Sequence, residues 1–355
     1  MIKTVPSSNS LGVLQLFIKE GGSRYLKQGV PAMLGYFGYS GNENYTQLRI
    51  AREAEQRGVA FSYTVERDYL AFKAQFLKSE LPFVLEIFKN IQNAEYAEWK
   101  YKDIKAKSER ETWGAFSTKS SFLEEYLHLL SYRGQSLGDS VYPQAPPSLS
   151  DIQSASTVLK NAQLLGVGFE KSELEQFKGT LGKSKAPEKV AFVGGESAIH
   201  KSFSNTVAVS VPIANAADAN ALKRALGDTL PKLKYGNPQS LIGLVAPKGV
   251  KITTRACHHE NAPSLLQFTV SATSNDQFKA SYAAIHSAVS KTKETLATLP
   301  SDTLNGHLRD LVNEQLGIKV ENGNAQQGAQ EAAKNLKSLK SVVYVGDVNY
   351  IPRFQ

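Results

Sequence analysis

The sequence contains an internal repeat of about half its length, and this repeat constrains the fold more than any other feature. In each half, an alternating apolar strand is followed by an antiparallel hairpin with a polar turn and then by a helix with an apolar stripe. The hairpins turn at Glu66-Arg67-Asp68 and at Glu260-Asn261, and the following helices carry Leu81 and Phe278 on their stripes. A duplicated unit of this kind predicts an α+β fold with two homologous domains, each a mostly antiparallel sheet packed with helices. The alternative is chance similarity, because short hairpins and helices are common.

The length of the chain agrees with two domains, because 355 residues exceed what one hydrophobic core usually organises. Residues 178–189 are rich in Gly, Lys and Pro, which is typical of an exposed linker. We therefore predict an N-terminal domain over residues 1–177, a linker over residues 178–189 and a C-terminal domain over residues 190–355.

Local signals place three elements at the start of the N-terminal domain. Apolar residues alternate around Leu14, which predicts a strand with one face in the core. A helix is predicted to begin at Pro31, because the fixed φ of proline suits a first helical turn. A second helix is predicted over residues 44–56, with Leu48, Ala51, Ala54 and Glu55 at helical spacing and Gly58 ending it.

The composition is that of a soluble globular protein, with 41% hydrophobic and 21% charged residues. The net charge of +8 and the pI near 9.2 raise the question of a polyanionic partner. However, the basic residues are spread along the chain without an Arg-rich arm, a zinc finger or an RNA-binding aromatic motif. We therefore expect no nucleic-acid partner, and we attribute the basicity to the compartment or to acidic partners.

Cysteine content and hydropathy limit the cellular context. Cys257 is the only cysteine, so no intramolecular disulfide can form and a disulfide-stapled secreted fold is excluded. Apolar stretches such as Leu11–Ile18 are far shorter than a membrane-spanning helix requires, so we expect a protein that is at most peripheral to a membrane. The first ten residues resemble neither a secretory signal nor an Arg-rich amphipathic helix, so we expect that any targeting segment has been removed or never existed.

The segment from Gly21 to Gly41 carries a resemblance to a known family. The run Gly21-Gly-Ser-Arg-Tyr25, then Gly29-Val30, Leu34 and Gly41, resembles the first strand, loop and helix of the mitochondrial processing peptidase and insulinase family of zinc peptidases. In active members of that family the helix carries His-x-x-Glu-His. The two histidines bind Zn²⁺ from one helix face, and the glutamate activates the metal-bound water.

This chain departs from the family motif at every reactive position. The two histidine positions correspond to Ala32 and Tyr36, and the glutamate position corresponds to Gly35. The resemblance places the third zinc ligand of the family near Glu109 or Glu111. One carboxylate without imidazole partners does not hold catalytic zinc. We therefore predict a metallopeptidase-like fold with no catalytic residues, no metal and no cofactor; a peptidase with substitute ligands is the alternative.

A narrower resemblance extends over essentially the whole chain in order. The runs at residues 21–25, 66–74, 76–82 and 345–352 are similar to the core proteins of the mitochondrial cytochrome b-c1 complex, especially the fungal ones. The resemblance implies a non-catalytic structural subunit of respiratory complex III (ubiquinol-cytochrome c reductase) on the matrix side of the mitochondrial inner membrane. It implies as partners core protein 1, cytochrome b, cytochrome c1, small matrix-side subunits and, in the dimeric complex, a second copy of the chain.

A second function remains open at this point, because the family also contains subunits that bind presequences without cleaving them. The alternative is therefore a non-catalytic, presequence-binding partner of a mitochondrial processing peptidase. A well-formed glycine-rich loop and an acidic cleft would favour it. Such a loop is only loosely recognisable, at Gly194-Gly195 or over residues 235–243.

The remaining histidines are given ordinary structural roles. Cys257-His258-His259-Glu260 lies at a hairpin end, where neighbouring strand residues point to opposite faces, so at most two of these side chains converge. We predict exposed imidazoles there. Four further histidines are isolated in sequence and are predicted to be surface or capping residues; they are His128, His200, His286 and His307.

Two other stretches also receive predictions. The aromatic segment over residues 126–142 is interpreted as a packed helix end, with a docking surface as the alternative. The run Gly194-Gly195-Glu196-Ser197 matches neither a P-loop nor a nucleophile elbow, so nucleotide binding is not supported.

Overall fold

The computed structural model describes residues 2–42, 45–94, 96–142, 145–175, 177, 186–227, 241–292 and 303–347. These residues form ten strands and twelve α-helices. The strands are β1 (Ile2–Val5), β2 (Leu11–Ile18), β3 (Ala60–Val65), β4 (Leu70–Leu77), β5 (Gln163–Val167), β6 (Gly195–His200), β7 (Thr206–Ile213), β8 (Lys251–Cys257), β9 (Ser264–Ser271) and β10 (Ser341–Gly346). The helices are α1 (Val30–Gly38), α2 (Gln47–Arg57), α3 (Leu81–Gln92), α4 (Glu98–Ser117), α5 (Lys119–Ser131), α6 (Leu149–Ala155), α7 (Lys171–Leu174), α8 (Ala216–Leu226), α9 (Leu241–Val245), α10 (Asn275–Ser290), α11 (Leu304–Gln315) and α12 (Ala325–Ser338).

The two sheets have the same topology, which confirms the predicted repeat and the α+β fold. The first has the strand order β1-β5-β2-β4-β3 and the second the order β6-β10-β7-β9-β8. In each sheet the first strand pairs in parallel with the last one, and the other pairs are antiparallel. The sequence analysis missed the short edge strands β1 and β6, because partly buried edges lack a long apolar alternation.

The first core forms on one face of the first sheet. Leu14, Leu16 and Ile18 of β2 are buried there, as their alternation predicted, together with the apolar stripe of α3. Pro31 lies in the first turn of α1, also as predicted. The helix predicted over residues 44–56 begins at Gln47, where the Thr46 side chain caps it.

The helix α2 differs from its prediction in the face that it buries. Gly58 ends the helix with a φ of 65°, a conformation that glycine adopts without strain. Leu48, however, is 60% exposed, and Ile50 and Ala54 are the side chains of α2 that enter the core. The helical spacing therefore predicted the helix and included the buried Ala54, but Leu48, Ala51 and Glu55 of the predicted set are exposed.

Contacts divide the chain into two compact units, and each unit includes a segment from the other half of the sequence. The first unit comprises Met1–Ser117, Asp139–Pro187 and Pro300–Gly317, and the second comprises Thr118–Gly138, Glu188–Leu299 and Ile318–Gln355. These units differ from the predicted continuous domains, which remain a prediction, by residues 118–138 and 300–317. The first exchanged segment contains α5 and the second contains α11. The sequence did not predict this exchange, because the apolar pattern of a helix does not indicate which sheet the helix will pack on. Most of the predicted linker, residues 178–185, lies outside the described residues.

Each exchanged helix covers the sheet face that points away from the apolar core of its unit. In the first unit, α11 packs on β5 and β2, and Lys73 of β4 donates a hydrogen bond to Asn305 of α11 at 2.7 Å. The neighbouring Phe72 faces the opposite way, into the core. In the second unit, α5 packs on β10, β7 and β6. Among the described residues, no helix combines the length and apolar composition needed to span a membrane.

Candidate functional site

The helix α1 carries the positions that correspond to the family's zinc motif. It begins after Gly29, which has a φ of 82°, and buries Met33 and Phe37 completely in the first core. Ala32 is partly buried, whereas Gly35 and Tyr36 are buried. The helix packs against α3, α4, α6 and the strands β3 and β4, so these positions are held on a fixed support.

The structure brings Tyr36 together with one of the two candidate glutamates. The Tyr36 hydroxyl donates a hydrogen bond to the carboxylate of Glu111 on α4. The ammonium of Lys107 lies 4.9 Å from the centre of the Tyr36 ring and 4.0 Å from Glu111. Both candidate glutamates, Glu109 and Glu111, are exposed, and the hydrogen bond to Tyr36 is made by Glu111. Glu111 is therefore the carboxylate that lies beside the second histidine position, and a hydrogen bond to tyrosine already occupies it.

Tyr63 of β3 fills the space beside Gly35, and the sequence analysis did not identify it. A Cβ atom at Gly35 would lie 2.5 Å from Cδ2 of Tyr63, closer than van der Waals contact allows. The rings of Tyr36 and Tyr63 meet edge to face, with their centres 5.4 Å apart. The only sign of Tyr63 in the sequence was its place among the alternate apolar residues of β3, which are half-buried in the structure. A glutamate at position 35 would require the Tyr63 ring to move.

The environment keeps both phenols protonated at neutral pH. Burial raises the pKa of Tyr36 well above its ordinary value, and the hydrogen bond to Glu111 raises that pKa further. Burial also raises the pKa of Tyr63 to about 12, with the hydroxyl of Tyr36 acting in the opposite direction. A phenol binds Zn²⁺ well only as phenolate, so neither tyrosine is a suitable ligand.

The residues present do not fit a catalytic zinc ion. Ala32 and Gly35 offer no donor atom, Tyr36 is a protonated donor, and Glu111 supplies one carboxylate. Catalytic zinc sites use three protein ligands and keep one position for water. Across the described part of the chain, no group of three or more His, Cys, Asp or Glu side chains is arranged to hold a metal ion. We derive no reaction step through zinc.

Comparisons with known proteins bear on the family resemblance and on the fold. Residues 13–144, which include α1 and α4, match the family model described as Insulinase (Peptidase family M16). The whole chain is similar to a crystal structure of the peptidase M16 inactive domain from Pseudomonas fluorescens, with a TM-score of 0.74 and 11% sequence identity. That match covers 100% of this chain and 96% of the other, and it shows the fold.

Curated relatives add sequence evidence. The protein named "Cytochrome b-c1 complex subunit 2, mitochondrial" from Debaryomyces hansenii is 29% identical over 240 residues, which cover 62% of each chain. The human protein of the same name is 26% identical over 264 residues, which cover 67% of this chain and 56% of the human one. The chain is similar to the insulinase (M16) peptidase family over residues 13–144, and it has the fold of an M16 domain. It spans less than two thirds of the length of these relatives.

We expect the purified chain not to retain zinc. After equilibration with equimolar zinc and gel filtration, we expect elemental analysis to find far less than one zinc per chain. His259→Ala is the matched control for zinc retained elsewhere, because the imidazoles of His128 and His259 lie close together in the second unit. Zinc that is lost in this variant would be bound at the histidine pair and not beside Tyr36. One zinc per chain that disappears in Glu111→Gln would contradict this interpretation.

The structure of the second unit differs from two histidine predictions. His128 of α5 is 1% exposed, and its Nε2 lies 3.1 Å from Nε2 of His259. Its Nδ1 lies 2.9 Å from the carbonyl oxygen of Glu124, which can only accept, so Nδ1 donates there and Nε2 accepts from His259. The surface position predicted for His128 is therefore wrong, and His259, which was predicted to be exposed, is partly buried. Both side chains lie where α5, from the other half of the sequence, meets the β8–β9 hairpin.

The other members of this cluster do not converge on one point. Cys257 is buried and its thiol donates to Oε1 of Gln267 at 3.4 Å, while Nδ1 of His258 lies 2.9 Å from the hydroxyl of Ser264. Each of these side chains thus has its own structural partner within the hairpin, which agrees with the interpretation of the cluster as a hairpin end.

The loosely recognised glycine-rich loop is not a loop at its first location. Gly195 opens β6, where it pairs with Ser341 of β10, and Gly194 precedes it with a φ of 79°. Most of the second location, residues 235–240, lies outside the described residues. The aromatic segment is packed as predicted at Tyr132, which is fully buried and donates to the carbonyl of Pro263 at 2.7 Å.

Proposed function

We propose that this chain is a non-catalytic structural subunit of respiratory complex III, equivalent to core protein 2. The proposal is supported by the name "Cytochrome b-c1 complex subunit 2, mitochondrial", which all of the curated relatives described above carry. A shorter match to the Saccharomyces cerevisiae protein of that name, 36% identical over 72 residues and 20% of each chain, points the same way. In this proposal the chain lies on the matrix side of the mitochondrial inner membrane.

One structural observation carries the non-catalytic part of the proposal. Where the family places two imidazoles and a carboxylate, this chain has the packed rings of Tyr36 and Tyr63, with a half-exposed Glu111 that accepts a hydrogen bond from Tyr36. The phenols are protonated and the Tyr63 ring closes the space beside Gly35. A hydrolytic centre needs an activated water and room for a substrate bond beside it. The cluster supplies neither, whereas its packing stabilises the contact between α1 and α4.

The presequence-binding alternative has no specific support among the described residues. Its glycine-rich loop is absent at Gly194-Gly195, where a strand begins instead. The names of the relatives also refer to the cytochrome complex. We therefore propose as partners core protein 1, cytochrome b, cytochrome c1, small matrix-side subunits and a second copy of the chain.

A structural subunit acts through its contact surface, and α4 offers side chains of the required kind. Trp99 is 67% exposed and Trp113 is 78% exposed, and Leu48 of α2 is exposed in the same unit. The two tryptophans are separated by about 21 Å along the helix and lie on nearly the same side of it. Trp99 and Leu48 line one surface cavity with Ser40 and Ile104. Exposed tryptophans are frequent anchors of protein interfaces.

The proposal is tested by isolating the chain from mitochondria with an affinity tag and a mild detergent. We expect the absorbance of haems b and c to co-elute with the tag in a fixed ratio to this chain. Recovery of the chain without haem, together with an active processing peptidase, would instead support the presequence-binding alternative.

The Trp99→Ala/Trp113→Ala double variant tests the surface of α4 in the same isolation. We expect a loss of at least about 2 kcal/mol in binding, or about 30-fold weaker retention of haem, because aromatic anchors dominate such interfaces. Lys102→Ala on the same helix is the control and should retain haem normally, since Lys102 is exposed and alanine preserves helix propensity. Equal retention by both variants would remove α4 from the interface.

A further inference from the structure

The second unit contains a small polar cavity that the proposed function does not use. It has a volume of about 280 Å³ and lies between the first turns of α5 and the strands β8 and β9. Alternate residues of β8 reach into it, namely Lys251, Thr253 and Arg255, while Ile252 between them faces the apolar core. The cavity is therefore built on the polar face of a sheet whose other face is apolar.

Lys119 lies at the centre of the hydrogen bonds in this cavity. Its ammonium donates to the hydroxyls of Ser204 at 2.8 Å, Thr206 at 3.1 Å and Ser271 at 3.1 Å. An ammonium group can only donate, so these three oxygens act as acceptors for it. All three partners are neutral, and no ion pair joins Lys119 to a carboxylate within the described part of the chain. The charge of Lys119 is held in place without being neutralised.

The charges around the cavity do not balance. Three cationic side chains line it, Lys119, Lys251 and Arg255, against the single carboxylate of Glu124. Glu124 is engaged by Arg255 in an ion pair. Lys251, like Lys119, has no ion-pair partner among the residues that the structure describes. Burial lowers the pKa of Lys119, and the nearby charge of Lys251 lowers it further, as expected for two cations that lack a counter-ion.

Strand pairing fixes the polar groups relative to each other. Ser271 of β9 lies directly opposite Lys251 of β8 on one side and opposite Thr206 of β7 on the other. Thr253 in turn lies opposite Thr269. Side chains on paired strands are positioned more accurately than side chains on loops, which favours selective binding of a small ligand. The first residues of α5 add the positive end of a helix dipole to the same region.

We propose that this cavity binds a phosphate group, supplied either as free inorganic phosphate or as the headgroup of an anionic phospholipid. Two uncompensated ammonium groups supply the charge, the guanidinium of Arg255 matches the geometry of a tetrahedral oxyanion, and serine and threonine hydroxyls supply further donors. The cavity is too small for most drug-sized ligands but accommodates a single oxyanion group.

The full chain of 355 residues, titrated with inorganic phosphate by calorimetry at constant ionic strength, tests the proposal. Sodium chloride replaces phosphate in the reference titration, so that general screening of surface charge is removed. We expect saturable binding of one phosphate per chain. Lys119→Gln and Lys251→Gln should each weaken it at least about tenfold, because each removes a positive charge from the cavity.

Lys279→Gln is the matched control, since Lys279 is an exposed lysine of α10 outside the cavity, and it should change the affinity less than about twofold. Lys251 is itself exposed, so its variant is expected to fold even if the Lys119 variant does not. Absence of saturable binding, or equal affinity in Lys251→Gln and Lys279→Gln, would overturn the proposal.

A second arm identifies the source of the phosphate group. The chain is sedimented with vesicles of phosphatidic acid in phosphatidylcholine and with vesicles of phosphatidylcholine alone. Binding to the first that Lys251→Gln removes and that inorganic phosphate displaces indicates a lipid headgroup. Calorimetric binding of phosphate without vesicle binding indicates the free anion. Vesicle binding that is identical in Lys251→Gln and Lys279→Gln would contradict a role for this cavity.

Discussion

Replacing Asp68 with alanine is expected to reduce the free energy of unfolding of the first unit by about 3–5 kcal/mol. Asp68 accepts a hydrogen bond from Nη1 of Arg24 at 2.7 Å, and the two side chains are 4% and 1% exposed. The variant removes the carboxylate that contacts the buried guanidinium of Arg24. Urea unfolding followed by circular dichroism, with hydrogen exchange of β4 peptides to identify the unit, measures the loss.

Two further variants test whether the buried charge of Arg24 causes the loss of stability in Asp68→Ala. The Arg24→Met/Asp68→Leu double variant should recover most of the stability, because replacing both ions with apolar side chains removes the uncompensated charge. Glu53→Ala removes an exposed pair with Arg49 and should cost less than about 1 kcal/mol. A double variant that is less stable than Asp68→Ala would show that the ion pair is not the origin of the effect.

Replacing Phe72 with alanine is expected to cost a similar amount, about 3–5 kcal/mol, because it opens a cavity under α1. Phe72 of β4 is fully buried, and its ring lies so close to Gly38 that a Cβ there would be 2.3 Å from Cε1. Its ring centre lies 5.4 Å from that of Tyr39 and 6.5 Å from that of Tyr63. The variant should therefore also loosen the support of the tyrosine cluster.

The same urea and hydrogen-exchange measurements apply to Phe72→Ala. Leu48→Ala is the comparison, since Leu48 is 60% exposed and should change stability by less than about 0.5 kcal/mol. Exchange of the amides of α1 should accelerate in Phe72→Ala and remain unchanged in Leu48→Ala. A loss below about 1 kcal/mol for Phe72→Ala would mean that the neighbouring rings collapse into the space.

The sequence predicted the repeated topology because each unit keeps its own hairpin and apolar helix. It did not predict that β2 is buried on both faces. Leu14 belongs to the core that the alternation indicated, but Val13 and Phe17 on the other face are also fully buried. The helix that packs on this strand, α11, comes from the other half of the sequence, and local periodicity carries no information about so distant a partner.

At the candidate site, the sequence predicted only that the zinc-binding and catalytic side chains of the family motif are absent. The identities of Ala32, Gly35 and Tyr36 could be taken from the family motif, because that motif is local in sequence. The replacement structure depends on contacts with Tyr63 and Glu111, which lie on a separate strand and a separate helix. The same reason explains the error at His128, whose partner His259 is remote in the chain. Pairs of residues that are remote in the sequence can be identified only once the fold is known.

The exchange of α5 and α11 determines when this protein can fold during its synthesis. A ribosome that has completed the first sheet has not yet produced α11, so that sheet emerges with one apolar surface uncovered. The helix α5 emerges early and must wait for strands that are translated much later. The first unit is complete only after α11 and the second only after β10, so we expect both units to fold slowly, through long-range closure late in synthesis.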